Sequence, residues 1–203
     1  MNEKQIVFVI LEEYADWEGA YLAPEIMRKS GEELNDYCVK TVSISKEPVH
    51  SIGGFTVLPD YDIDSLNDDF YGLILIGGNS WRKESSKKII PLVNKALEKN
   101  VVLGAICDAT VFLGMNGFLN EIEHTSNQLE ELQRAAGKNY TGERKYINQQ
   151  AVRSGNVITA NGTATLEFAK EVLIALGIRT EDEADSWYQF HKLGYYEYIK
   201  NIK

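Results

Sequence analysis

Val101-Val102-Leu103-Gly104-Ala105-Ile106-Cys107-Asp108-Ala109-Thr110 decides how this chain folds. The run is short, apolar and β-branched at its start, which predicts a buried strand. It stops at a cysteine, and the residues that follow, through Met115, predict a helix. A side chain at such a turn is held at the carboxyl edge of a sheet, near the positive end of a helix. That location favours a thiolate over a thiol. It is also where open α/β sheets bind their ligands.

Outward from this elbow the same grammar recurs. Gln5 to Leu11, with Ile6, Val7, Val9 and Ile10, predicts a central parallel strand, and Leu73-Ile74-Leu75-Ile76, ended by Gly77-Gly78, predicts another. Tyr37 to Ile44 alternates apolar and polar residues, as a half-buried strand does, and Val157-Ile158-Thr159 is a short strand. Ser51 to Val57 predicts a hairpin turning at Gly53-Gly54. Asp16 is a cap for a segment in which Trp17, Ala20, Tyr21, Ile26 and Met27 have near-helical spacing. Gly31 is its stop, and Pro24 kinks it or delays its start. Ile89, Ile90, Val93, Ala96 and Leu97 form a second helical stripe. Thr163 to Leu176 forms another, with Leu166, Phe168, Ala169, Val172, Leu173 and Leu176 inward. Strands alternating with helices predict an α/β chain whose mostly parallel sheet is covered on both faces.

At 203 residues, 44% of them hydrophobic, the chain is long enough for one substantial core, so residues 1–203 are expected to form one domain. From about Glu181 a tail carries Trp187, Tyr188, Phe190, Tyr195, Tyr196 and Tyr198, and so aromatic a tail packs on the body or on a second subunit. A net charge of -9 argues against nucleic acid as a partner. The densest basic stretch, Arg82-Lys83 with Lys87-Lys88, reads as a solvated face. No apolar run approaches a membrane span, and Met1-Asn2-Glu3-Lys4 leads straight into a strand without a signal-peptide pattern. Two cysteines, Cys38 and Cys107, make no disulfide framework, so a cytoplasmic protein with free thiols is expected.

Cys107 reads as a reactive thiol because it ends a strand before a helix, whereas Cys38, inside a strand pattern, reads as core. Gly77 and Gly78 end the neighbouring strand, where their backbone N–H groups, with the amide of Asp108, can hold an oxyanion. His124 is either the imidazole that shuttles protons for the cysteine or a loop residue beside a helix capped by Ser126 or Asn127, containing Leu129 and Leu132. Glu18, beside Trp17, is either a carboxyl desolvated enough to hydrogen-bond the sulfur or a first-turn acid answering a helix dipole. His50 and His191 read as structural or solvated. Trp17 and Trp81 are candidate pocket walls.

Taken together these residues resemble the PfpI-type family of the class I glutamine amidotransferase-like superfamily. The resemblance rests on the first strand followed by Asp16-Trp17-Glu18, then Ile76-Gly77-Gly78, Ala105 to Thr110, His124-Thr125-Ser126-Asn127, and Ile158-Thr159-Ala160-Asn161-Gly162. It implies a flavodoxin-like three-layer sandwich, a nucleophilic Cys107, a Glu18 that hydrogen-bonds the thiol, and oxyanion amides at Gly78 and Asp108. It implies a homodimer or larger assembly, with relatives named as intracellular proteases or amidases and others given glyoxalase, deglycase or chaperone roles. Protease-like members carry a histidine directly after the nucleophile, where this chain has Asp108, so His124 is the motif-matched substitute. An ionised Asp108 is also expected to raise the thiol's pKa.

Two functions follow as expectations. One is a cysteine hydrolase acting on a small amide, a peptide or a reactive-carbonyl adduct, with no metal or other cofactor. The other is a non-catalytic redox sensor in which Cys107 is oxidised and Glu18 stabilises the product. A third, structural reading makes the aromatic tail the working interface.

Overall fold

The structure is a computed structural model that describes residues 4–28 and 36–201. Gly31, the expected helix stop, lies outside the described residues. In chain order the elements are β1 (Lys4–Val9), α1 (Leu22–Met27), β2 (Tyr37–Ser43), β3 (Val49–His50), β4 (Thr56–Val57), β5 (Tyr61–Asp62) and β6 (Phe70–Leu75). A 3-10 turn over Glu84–Ile89 leads into α2 (Ile90–Glu98), followed by β7 (Val102–Ile106), α3 (Asp108–Met115) and α4 (Leu129–Ala136). The chain continues through β8 (Ala151–Ser154), β9 (Val157–Ala160), α5 (Thr165–Ala175), α6 (Glu181–Leu193) and α7 (Tyr195–Asn201).

Seven strands form one sheet in the order β5-β2-β1-β6-β7-β9-β8, and every pairing is parallel except β8 on β9. β3 and β4 form a separate antiparallel hairpin, as the glycine pair predicted. Successive strand residues point to opposite faces, which divides the core in two. Val7, Val9, Leu73, Leu75, Leu103 and Ala105 pack with Val93 and Ala96 of α2 and Phe112 of α3. Ile6, Phe8, Ile74, Ile106 and Ile158 pack with Leu22 and Ile26 of α1 and with Phe168 and Val172 of α5. The result is a flavodoxin-like three-layer α/β sandwich.

Two local expectations change. The first helix begins only at Leu22, so Trp17, Ala20 and Tyr21 precede it and Asp16 is not its cap. Pro24 falls in its first turn, where a missing N–H costs no helical bond. Asp16 instead accepts a hydrogen bond from the Gly53 amide in the hairpin turn (2.8 Å). The aromatic tail docks through two helices. A capping box of Thr180 and Glu183 opens α6. Its inner side is tied to α5 by Lys170 to Asp185, by Tyr188 Oη to Glu167 (2.8 Å) and by Lys192 to Glu167 (3.1 Å). Trp187 is buried, edge-on to Tyr21, while Tyr195 and Tyr196 remain exposed.

Candidate active site

β1 lies between β2 and β6, the point at which the strand order reverses, and ligands of open α/β sheets sit beyond the carboxyl ends of the strands there. Four loops leave that edge, after β1, β6, β7 and β9, and each brings one group to the same place. A pocket of about 460 Å³ is lined by Ala15, Trp17, Glu18, Ile52, Gly78 and Asn79, with Arg82, Cys107 and Asp108.

Cys107 is the turn between β7 and α3. Its backbone has φ 58° and ψ -129°, a left-handed conformation that side chains other than glycine's rarely adopt. Such strain costs about 1–3 kcal/mol and persists only where neighbours over-determine it. Here the Cys107 amide donates to Ala160 O at the end of β9 (2.9 Å), and the Cys107 carbonyl accepts from the amide and hydroxyl of Thr110 (3.0 and 2.6 Å). The sequence places a small hydroxyl residue three positions into the helix, and that hydroxyl closes the elbow.

Glu18 is 1% exposed, yet it belongs to no ion pair among the described residues. Its Oε2 accepts from the Gly77 amide at 2.7 Å, and its Oε1 meets no hydrogen-bond partner among the described residues. A methyl group placed on Gly77 would lie 2.5 Å from Glu18 Oε2 and 2.7 Å from Cys107 Cβ, so only glycine lets the carboxyl and the cysteine close on one another here. Burial pushes the Glu18 carboxyl up to about 7. The Gly77 amide and the thiol oppose the rise, and the charge of Asp108 adds to it.

The thiol moves the same way. Burial and the Glu18 charge push Cys107 up to about 11, against smaller opposing effects of the Asn127 side chain and the Asp108 amide. The helix terminus acts in the expected direction but is outweighed. The expected rise from the Asp108 carboxylate takes a different route. That carboxylate is held by Arg82 through two hydrogen bonds (Nε to Oδ2 2.8 Å, Nη2 to Oδ1 2.5 Å), and Arg82 Nη2 also reaches Glu131 on α4 (2.6 Å). Arg82 therefore ties the loop after β6 to α3 and α4, while the charge of Asp108 is felt at Glu18.

Gly78 has φ 148°, and an added methyl would meet Glu13 O at 2.4 Å, so the position admits only glycine. It pairs antiparallel with Tyr14, and the bonds of that pairing belong to Ala15 on Gly77 and Asn79 on Glu13. Among the described residues the Gly78 amide has no backbone acceptor and borders the pocket, while the first-turn amide of Asp108 bears on the Cys107 sulfur. Gly77 differs, since its amide is occupied by Glu18.

Two expected site residues, His124 and Trp81, are elsewhere employed. His124 is fully buried, with Nδ1 against Ile122 O (2.8 Å) and Nε2 against Tyr140 Oη (2.8 Å), so neither nitrogen bonds the sulfur. Trp81 is 1% exposed, packs on Phe112 and donates its indole N–H to Ile76 O (2.6 Å); it belongs to the core and not to the pocket wall. Ser126 and Asn127 do not cap α4, whose N-cap is Gln128. Ser126 Oγ meets Thr110 Oγ1 (2.6 Å), and Asn127 Nδ2 lies 3.5 Å from Cys107 Sγ, in the place expected for the imidazole. Cys38 is buried as expected. Among the described residues no group of three or more His, Cys, Asp or Glu side chains is placed to hold a metal ion, and no helix is long and apolar enough to cross a membrane.

Comparison with known proteins gives a consistent picture. The DJ-1/PfpI family profile matches residues 4–175. The chain is 37% identical over 195 residues to the uncharacterized protease YdeA of Bacillus subtilis, covering 96% of this chain and 94% of that protein. It is 34% identical over 202 residues to the uncharacterized protease YoaZ of the same organism, covering 98% and 96%. A thiJ/pfpI family protein from Bacillus anthracis superimposes with a TM-score of 0.89 at 35% identity, over 97% of this chain and 93% of that one.

Proposed function

Because the chain belongs to the DJ-1/PfpI family, we propose that it is a cysteine-dependent hydrolase acting on a small amide, a peptide or a reactive-carbonyl adduct. The observation that carries this reading is the unpartnered Oε1 of a buried carboxyl, poised near neutrality, beside a strained cysteine in one open pocket. A thiol raised to about 11 is a poor nucleophile alone and needs a base at the moment of attack. Glu18 is that base. Its ionised form takes the thiol proton as Sγ adds to the substrate carbonyl, and the N–H groups of Gly78 and Asp108 hold the developing oxyanion. The protonated carboxyl then gives its proton to the departing amine, leaving a thioester on Cys107. Water, deprotonated by Glu18, attacks the thioester, and the proton returns to sulfur as the acid leaves. One carboxyl thus serves as the sole proton shuttle, and Trp17 and Ile52 wall the pocket.

The raised thiol counts against the redox-sensor reading, since sensor cysteines hold a standing thiolate. We further read the chain as one cytoplasmic domain that pairs with a second copy. The two free thiols support the compartment, and exposed Ile52, Phe55 and Leu58 on the hairpin offer apolar surface for the pairing.

The test uses a p-nitrophenyl ester and a small amide panel. The native chain is expected to show an acyl mass on Cys107, and Cys107→Ser to lose at least about a thousandfold in turnover. Turnover unchanged in Cys107→Ser, or no acyl mass on the native chain, overturns the assignment.

A further inference from the structure

We propose that Asn127, clamped by the backbone of Gly162, is the fixed donor that holds the Cys107 sulfur in its attacking position. This rests on the reading of Cys107 as nucleophile and names a further catalytic residue for it, since Asn127 touches the reacting atom.

The orientation of the amide is settled by its other end. The Gly162 N–H donates to Asn127 Oδ1 at 2.9 Å, so the oxygen faces that amide and the NH₂ group faces the sulfur, 3.5 Å away. The reverse orientation would set two donors against each other. Gly162 also bounds the sulfur directly, because a methyl there would lie 2.8 Å from Sγ and 3.5 Å from Asn127 Oδ1. The sulfur therefore sits between a side-chain donor and a backbone that no side chain may thicken.

The segment that delivers Asn127 is pinned along its length. His124 exchanges backbone hydrogen bonds with Lys145 and Ile147 (3.2 and 2.8 Å). The Thr125 amide donates to Thr159 Oγ1 (2.9 Å), its hydroxyl donates to Gln149 O (3.0 Å), and Tyr146 Oη donates to Ser126 O (3.1 Å). So many anchors, from β9 and the loop before β8, fix the amide to the geometry the sulfur needs. His124 belongs to this scaffold and not to the chemistry.

An amide donor bonds more strongly to a thiolate than to a thiol, and it does so at every pH because it does not titrate. The groups that do titrate or carry charge around the sulfur are Glu18 after β1 and Asp108 at the start of α3, the latter paired with Arg82. Asn127 thus supplies stabilisation of the anion and leaves proton transfer to the carboxyl.

The experiment is the rate of Cys107 carbamidomethylation by iodoacetamide against pH, followed by peptide mass mapping on the full chain and on Asn127→Ala and Asn127→Asp. Asn127→Ala is expected to move the profile upward and slow alkylation about tenfold at a fixed pH below the midpoint. Asn127→Asp, of the same shape but bearing an acceptor and a charge, is expected to move it further. A purely structural role would change the melting temperature and not the profile. An Asn127→Ala profile that superimposes on the native one overturns the proposal. Should that variant fail to fold, Asn127→Asp decides, and an unchanged or lowered midpoint overturns it. Because alkylation needs no substrate, this outcome is independent of whether the chain hydrolyses amides.

Discussion

The two oxygens of Glu18 are inequivalent, one spent on the Gly77 amide and one without a partner, and this sets what a substitution there does. Glu18→Gln keeps the shape and removes the charge that helps to raise the thiol. The midpoint of Cys107 alkylation is therefore expected to fall below that of the native chain, while turnover drops about a hundredfold or more because an amide does not take up and return a proton as a carboxyl does. A midpoint that stays or rises removes the account of the coupling, and retained turnover removes Glu18 as the shuttle. At this scale the sequence was partly legible. Cys107 and Glu18 were visible because a strand end fixes where a side chain lies, and Gly78 because a glycine pair marks a close approach. Asn127 was not, since an imidazole three residues earlier carries the stronger chemical suggestion. Only the fold reveals that Tyr140 and the Ile122 carbonyl have already claimed that ring.

At the scale of elements, the loop after β6, the start of α3 and α4 are joined by one guanidinium on two carboxylates. Arg82→Ala leaves the Asp108 carboxylate uncompensated, and because that charge already raises Glu18, the carboxyl is expected to titrate higher still. The rise in turnover that follows Glu18 ionisation should move to higher pH. The melting temperature should fall as well, because the guanidinium is bidentate on one largely covered carboxylate and shared with a second. A turnover profile unmoved on the pH axis contradicts this coupling. Basic residues here read as a solvated face because nothing in Arg82-Lys83 announces partners 26 and 49 positions away. The late start of α1 has a simpler cause. Apolar spacing between Trp17 and Met27 mimics a helix, but Gly19 and Pro24 leave only six residues helical.

For the whole molecule, the buried carboxyl makes stability depend on pH in an unusual direction. A group whose folded value is raised binds its proton more tightly when folded, so its contribution is complete below the ordinary value of 4.5 and is lost as pH rises toward about 7. The loss is about 3 kcal/mol for this one group. The thiol adds the same sign between 9 and about 11. Urea unfolding of the native chain and of Glu18→Gln, compared from pH 4.5 to 8, should show the native chain losing stability relative to the variant across that window. Parallel curves would rule out a carboxyl this desolvated. The architecture itself was legible from the elbow outward, since apolar runs ended by glycine or cysteine alternate with helical stripes, and parallel sheets bury such strands on both sides. What escaped was the geometry between loops that only the assembled sheet brings within reach.

The hairpin of β3 and β4 stands outside the main sheet and joins the pocket through Ile52, moored by the Asp16 carboxylate on Gly53 and by the Ile52 amide on Tyr14 O (2.8 Å). This lip can therefore be lengthened, shortened or resurfaced without disturbing the sulfur or its carboxyl, whose registers are dictated by other strands. The shape of the pocket mouth is thereby uncoupled from the placement of the cysteine and the carboxyl, so that either can be altered without the other.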